Sequence, residues 1–349
     1  MQPVIYDRLS FQECNLQNQT VEGDTLDTEQ AETQRQFLRT PAYPWLIDSN
    51  GFMQVGHVLK LIDILGSEAA LFYLNQGKAE KNIVVTASLD RTNFYETVHL
   101  WEMLHLNSKV TQVWRTSAEI EVSVCAENIL TCKKRLVATA YLVFVALSSK
   151  SRERIEFPIY TPQTEADRQL GQAADLRKSN RIAETKELTI VPIEDNEDPY
   201  VMSRVMSFND ANAQSNVFGG IILSLMDDAG QAVAGKQALG QPIVGVRVDR
   251  MSFIAPTFLG ETVVVKALPT KTWRSSMEVQ VEVSAKNPNT NQVRQVATCY
   301  LVYVRLGPNR RPGEIPPWFP QTTLQERRAE QAQARREIRE KEEKALRVH

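Results

Sequence analysis

The chain has 349 residues, with 40 Lys and Arg against 42 Asp and Glu, a net charge of −2 at neutral pH. That balance excludes a protein that grips nucleic acid through overall positive charge, and no nucleic-acid partner is expected. At 42% hydrophobic and 23% charged residues the chain is globular in composition, and its length suggests two domains.

Residues 1–32 are polar and acidic without a clear period, and read as a poorly ordered extension. They show neither an apolar signal core nor an Arg-rich, acid-poor leader, so a cytoplasmic protein is the expectation. Residues 33–150 read as a first α+β domain. Its central helix is GHVLKLIDILG (56–66), apolar nearly all round, as a helix enclosed by a sheet must be. Residues 151–195 read as a linker with a helix. Residues 196–308 read as a second domain: a short strand (202–208), a turn rich in Asn, Ser and Gly (210–220), an apolar helix (221–236) and four strands (244–253, 261–270, 275–285, 296–306). Met277, Val279, Val281 and Val283 alternate with period 2, which predicts a sheet with one covered face. Residues 309–349 are a Pro-rich segment and a charged helix, read as solvated, with partner binding as the alternative.

The two domains are copies. VWRTSAEIEVSV from Val113 recurs as TWRSSMEVQVEV from Thr272, with Trp114 and Arg115 on Trp273 and Arg274 at an offset of 159. The same offset carries VATAYLVFVAL (137–147) onto VATCYLVYVRL (296–306), and Asp90-Arg91-x-x-Phe94 onto Asp249-Arg250-x-x-Phe253. The central helix recurs as GIILSLMDDAG (220–230) at an offset of 164. Ordered, repeated blocks of this kind mark an internal duplication.

No apolar run approaches the roughly 18 residues of a membrane span, so no membrane partner is expected. The four cysteines (Cys14, Cys125, Cys132, Cys299) include no CxxC, and the four histidines (His57, His99, His105, His349) form no ligand cluster. No metal is therefore expected. What stands out is an acid within each apolar helix, Asp63 and Asp227. Burying a carboxylate without partners costs several kcal/mol or raises its pKa. Each acid is either functional or matched by a basic strand residue, for which Arg115 and Arg274 are candidates. Gly219-Gly220 opens the second helix and lets a ligand approach its free N–H groups. Asn212 lies upstream in the same turn, where ordinary turn chemistry is the competing reading.

Asn212, Gly219, Gly220 and Asp227, in the pattern N-x(6)-G-G-x(6)-D, resemble the acyl-CoA thioesterases of the hotdog fold. Val248-Asp249-Arg250-Met251-Ser252-Phe253 and Trp273-Arg274-Ser275-Ser276 resemble companion blocks of that family, which has a tandem-repeat branch. The resemblance covers about residues 35–330. It implies two hotdog domains packed as a pseudo-dimer, sheets edge to edge, and hydrolysis of acyl-CoA to fatty acid and CoA without metal or organic cofactor. It implies catalytic roles for Asp63, Asn212 and Asp227, the acid activating water or attacking the thioester. Gly219, Gly220, Asn50 and Gly56 would be substrate-binding. It also implies a homo-oligomer, for instance a trimer of the double unit.

The first copy departs from the motif: Asp48 stands where Asn212 would fall, and Val55 replaces Gly219. The complete turn of the second copy is expected to face Asp63. In the other site Asp48 facing Asp227 would give two carboxylates sharing a proton. Two other readings are a hotdog hydratase or dehydratase using His57, and a non-enzymatic acyl-CoA sensor or scaffold.

Overall fold

The computed structural model of the chain describes residues 35–76, 81–187, 190–212 and 216–346; the 1–32 extension lies outside them. The first half runs β1 (Arg35–Pro41), α1 (Val55–Asn75), β2 (Ile83–Leu89), β3 (Thr92–Phe94), β4 (Met103–Val113), β5 (Ser117–Glu127), β6 (Lys134–Leu147) and α2 (Glu165–Glu187). The second half repeats this order as β7 (Tyr200–Val205), α3 (Gly219–Gln237), β8 (Ile243–Val248), β9 (Met251–Ser252), β10 (Thr262–Thr272), β11 (Ser276–Lys286), β12 (Val293–Arg305) and α4 (Thr323–Leu346).

The strands form one antiparallel sheet in the order β1-β4-β5-β6-β3-β8-β12-β11-β10-β7. The halves join where β3 pairs with β8 and β2 with β9, through Asn93 opposite Arg247 and Leu89 opposite Met251. Pairing there removes an exposed sheet edge from each half. The chain is thus two tandem hotdog domains, edge to edge. α1 packs on β4 and β5, α3 on β10 and β11, and the two helices touch each other. A helix enclosed by its own sheet and by the opposite helix needs apolar side chains on several faces. Leu59, Ile62, Leu65, Ile222, Leu225 and Met226 accordingly lie in the core.

The sheet does not have only one covered face. Met277, Val279, Val281 and Val283 point into the core, yet Glu278 and Gln280 between them are also fully buried. The cause is α4, which corrects the expectation of a solvated C-terminal helix. Arg328, Arg335 and Arg339 form its buried stripe. Arg335 donates to Glu278 at 2.6 Å, and Arg339 donates to Glu278 and Asp249. Burial alone would raise the Glu278 pKa, but Arg335 and Arg339 hold it well below the usual carboxylate range. The first half repeats the device: on α2, Arg177 donates to Glu119 at 2.5 Å and Arg181 to Asp90. Each helix is also anchored by its tryptophan, Trp114 donating to Asp175 and Trp273 to Gln333.

The duplicated Asp-Arg pairs tie the halves together reciprocally. Arg250 donates to Asp90 at 2.6 Å, and Arg91 lies 3.8 Å from Asp249. Removing one member of such a buried pair typically costs about 3–5 kcal/mol, because the other charge is left uncompensated.

Candidate active site

Both helix acids lie where α1 and α3 meet, and each reaches the start of the opposite helix. Asp63 on α1 is fully buried. Its Oδ2 accepts the backbone N–H of Gly220 at 2.7 Å, and its Oδ1 accepts the Thr86 hydroxyl at 2.7 Å. Asp227 on α3 is buried to the same degree. Its Oδ2 accepts the N–H of Gly56 at 2.7 Å and the carboxamide of Gln231 at 3.3 Å, while its Oδ1 accepts the Tyr303 hydroxyl at 2.8 Å. Neither acid is matched by Arg115 or Arg274. Arg115 is largely exposed and sits 3.7 Å from Glu156, and Arg274 is exposed.

The glycines are required by close approach. A Cβ on Gly220 would come 2.8 Å from the Lys60 Cα and 3.0 Å from the Asp63 Cβ. One on Gly56 would come 2.8 Å from the Asp227 Cβ. Only an unsubstituted backbone lets each helix start meet the acid of the other helix. A Cβ on Gly219 would lie 3.1 Å from the Thr86 Oγ1 and 3.2 Å from the Phe253 ring, so the glycine lets the hydroxyl partner of Asp63 pack against the start of α3.

Burial is the largest influence on both acids. It raises the Asp63 pKa, and the Thr86 hydroxyl and Gly220 N–H partly offset the rise. It pushes Asp227 up to about 6, against the opposing effects of Gly56, Tyr303 and Gln231. A carboxyl group whose pKa is raised is, once ionised, a stronger base than an exposed one.

The two asparagines close their own turns. The Asn212 side-chain oxygen accepts the Asn216 N–H at 3.1 Å, and the Asn212 N–H donates to the Asn216 carbonyl at 2.7 Å. Asn50 donates its backbone N–H to Asp48 at 2.8 Å, and Phe52 donates to the same carboxylate oxygen at 3.0 Å. Asp48 is therefore engaged in its own turn. The carboxylate that influences Asp227 is its chain neighbour Asp228, which corrects the expectation of an Asp48–Asp227 pair sharing a proton.

His57 is half-buried on α1, where burial lowers its pKa and Asp228 partly opposes the effect. Two further residues of the site went unnoticed in the sequence, Thr86 and Tyr303. Thr86 lies in a strand with no motif of its own. Tyr303 lies in the repeated block, where its counterpart is Phe144, and that difference was the available signal.

Among the described residues no group of acids, histidines and cysteines could hold a metal ion, and no helix is long and apolar enough to cross a membrane. The family model described as Thioesterase superfamily matches residues 50–133 and again 214–291, once in each half. The chain is 26% identical to the cytosolic acyl coenzyme A thioester hydrolase of Mus musculus over 82% of its own length and 78% of that relative's. It is 31% identical over 110 residues to the acyl-CoA thioester hydrolase YciA of Salmonella typhimurium, covering 31% of this chain and 82% of that one. Among solved structures, one from Lactobacillus plantarum described as an oleoyl thioesterase is similar in fold alone, with a TM-score of 0.55 at 11% identity over 78% of this chain and 97% of that one.

Proposed function

The chain belongs to the thioesterase superfamily, and from that premise we propose that it hydrolyses acyl-CoA thioesters at a site built from Asp63 and the start of α3. The observation that carries the assignment of the site is the contact between Asp63 and Gly220. It sets a buried carboxylate against the N-terminus of the opposite helix, with Thr86 packed beside Gly219.

In this reading Asp63 takes a proton from water, and the hydroxide attacks the thioester carbonyl carbon. Gly220 already donates its N–H to Asp63, so the N–H of Gly219 and the positive end of the α3 dipole receive the developing oxyanion. The tetrahedral intermediate collapses, the C–S bond breaks, and the sulfur leaves with the proton held by Asp63. The products are the free acid and the CoA thiol. Asn212, whose side-chain oxygen accepts the Asn216 N–H, keeps in this reading the role of orienting the water. No step uses a metal or an organic cofactor.

The naming of the mouse relative as cytosolic supports a cytosolic location. Assembly into trimers of the double unit belongs to the same reading, and the solution mass tests it.

A panel of acyl-CoAs from acetyl to palmitoyl, assayed for thiol release, tests the activity. Free thiol from at least one member is expected. A change in enoyl absorbance without thiol release would turn the reading toward a hydratase at His57. Binding without turnover of any member would turn it toward a sensor.

A further inference from the structure

We propose that one end of the first half is a lipid-docking surface, which seats the protein on an anionic bilayer through Trp45, Leu100, Trp101, Ile129 and Leu130.

The sheet gathers three separate connections at this end. Pro41, the last residue of β1, and Glu127, the last of β5, both lie opposite Met103 at the start of β4. The turn before β4 is bonded to the segment after β1: Trp101 donates its N–H to the Ala42 carbonyl at 3.1 Å, and Ala42 donates to the Glu102 carbonyl at 2.8 Å. The β5–β6 hairpin closes from Asn128 to Lys133 at the same end. Arg135, just beyond the hairpin, ties the group together by donating to Glu102 and to the Thr97 carbonyl.

These connections hold large apolar side chains in the open. Trp45 is 72% exposed and stacks on Tyr43, with ring centroids 4.4 Å apart. Trp101 is 52% and Leu130 88% exposed, and Leu100 and Ile129 are exposed beside them in sequence. Trp101 is also strained. Its φ of 65° is left-handed, a conformation that a bulky residue rarely adopts. The second half shows what the fold alone requires. Gly260 donates to the Met206 carbonyl as Trp101 does to that of Ala42, and its φ is 82°. A Cβ there would meet nothing within 4 Å. The fold is content with glycine in this turn, yet the first half keeps an indole there at the expense of backbone strain. The hairpins differ in the same sense. Asn128 and Asn287 each accept two backbone N–H groups of their own tip, but the tip residues are Ile129 and Leu130 in one and Pro288 and Asn289 in the other. Asn209 stands where Trp45 would fall. Phe208 and Ile254 are exposed in the second half, but no tryptophan and no leucine at the hairpin tip accompany them.

The charges decide the occupant. Glu96 and Glu102 face Arg135, and Glu127 lies 2.5 Å from the His105 Nε2. Arg39, Lys133 and Lys134 make no ion pair among the described residues. Lysine is depleted at protein–protein interfaces, whereas spare cations beside Trp, Leu and Ile suit the headgroup layer of an anionic bilayer. Indole rings favour that layer. Docking on a surface requires no spanning helix, and the described residues contain none. Under the function proposed above, such a seat brings the enzyme to a surface that holds long acyl chains; the docking itself is independent of that reading.

Co-sedimentation of the full chain with unilamellar vesicles tests this. Binding to phosphatidylcholine vesicles with about 30% phosphatidylserine is expected to exceed binding to phosphatidylcholine alone by at least about tenfold, with a blue shift of tryptophan emission. The triple change Trp45→Asn, Trp101→Gly and Leu130→Asn puts the second half's residues into the same turns. It should weaken vesicle binding by at least about tenfold while thiol release from a soluble short-chain acyl-CoA stays near native. Its thermal midpoint should not fall, because Trp101→Gly relieves the left-handed turn. Lys133→Gln with Lys134→Gln, a milder surface change, should weaken binding to the charged vesicles alone. A native chain that stays in the supernatant with both vesicle types would overturn the proposal, as would a folded triple variant that pellets like the native chain. So would a native dimer in sedimentation velocity that the triple change dissolves while no vesicle binding is seen, since a second copy would then cover the patch.

Discussion

The two halves of this molecule began as one sequence and now treat the same buried acid differently. At Asp63 there are two donors, the Gly220 N–H and the hydroxyl of a half-buried threonine that packs against Gly219. At Asp227 there are three donors, the Gly56 N–H, the Gln231 carboxamide and the hydroxyl of a buried tyrosine, and Val55 stands in the place of Gly219. The fold needs a helix start seated on each acid, and both sites keep that contact at 2.7 Å through Gly220 and Gly56. Asp63 carries one donor fewer than Asp227, and in the proposed reading it is the working acid.

That contrast can be strained first at the glycines. A Cβ on Gly220 would come 2.8 Å from the Lys60 Cα and one on Gly56 2.9 Å from the Ser224 Cα, so Gly220→Ala and Gly56→Ala make closely similar backbone clashes. Both should destabilise the fold by about 1–3 kcal/mol, read as a lowered denaturation midpoint. Gly220→Ala should in addition lower kcat by about 100-fold, because a displacement near 1 Å at the reacting group is worth that much. Gly56→Ala should leave kcat close to native. Equal losses of activity in the two would erase the distinction.

A smaller effect is expected at the hydroxyls. Thr86→Val removes a donor that favours ionised Asp63, and a hydrogen bond to a charged group is worth about 1.5–3 kcal/mol. Asp63 then becomes harder to ionise, its pKa rises further, and the rising limb of the pH–rate profile moves to higher pH. Near neutral pH the rate should fall by about tenfold. Tyr303→Phe raises the pKa of Asp227 by the same logic but should leave the pH–rate profile where it was. A profile moved by Tyr303→Phe and not by Thr86→Val would invert the assignment.

The least effect on activity is expected where the halves are alike. Arg339→Met on α4 leaves Asp249 and Glu278 buried with one arginine fewer, and Arg181→Met on α2 does the same to Asp90 and Glu119. Each should cost about 3–5 kcal/mol in chemical denaturation. The kcat of the protein that remains folded should change little in either.

The duplication, the two apolar helices and the acid in each were legible in the sequence because they are local patterns. The docking of α4 was not. Arg335 and Arg339 look like ordinary surface charge until the sheet brings Glu278 and Asp249, some sixty to ninety residues away in the chain, onto the face they cover. Their recurrence as Arg177 and Arg181 at the matching place in α2 was the overlooked hint. The surroundings of the acids were only half legible. The Phe144-to-Tyr303 difference is plain in the repeated block, but its meaning depends on a register that sets Tyr303 opposite Gly245 and beside Gly230. Asp48 misled because it stands at the repeat position of Asn212, while its hydrogen bonds belong to its own turn.

The most direct test compares Asp63→Asn with Asp227→Asn on the best acyl-CoA of the panel, with folding checked in both. An amide can neither accept the water's proton nor hold it for the leaving sulfur, so Asp63→Asn should lower thiol release by about 100-fold or more, while Asp227→Asn should stay within about threefold of native. The opposite ranking, with Asp227→Asn inactive and Asp63→Asn near native, would contradict the account and make the site at Asp227 the working one.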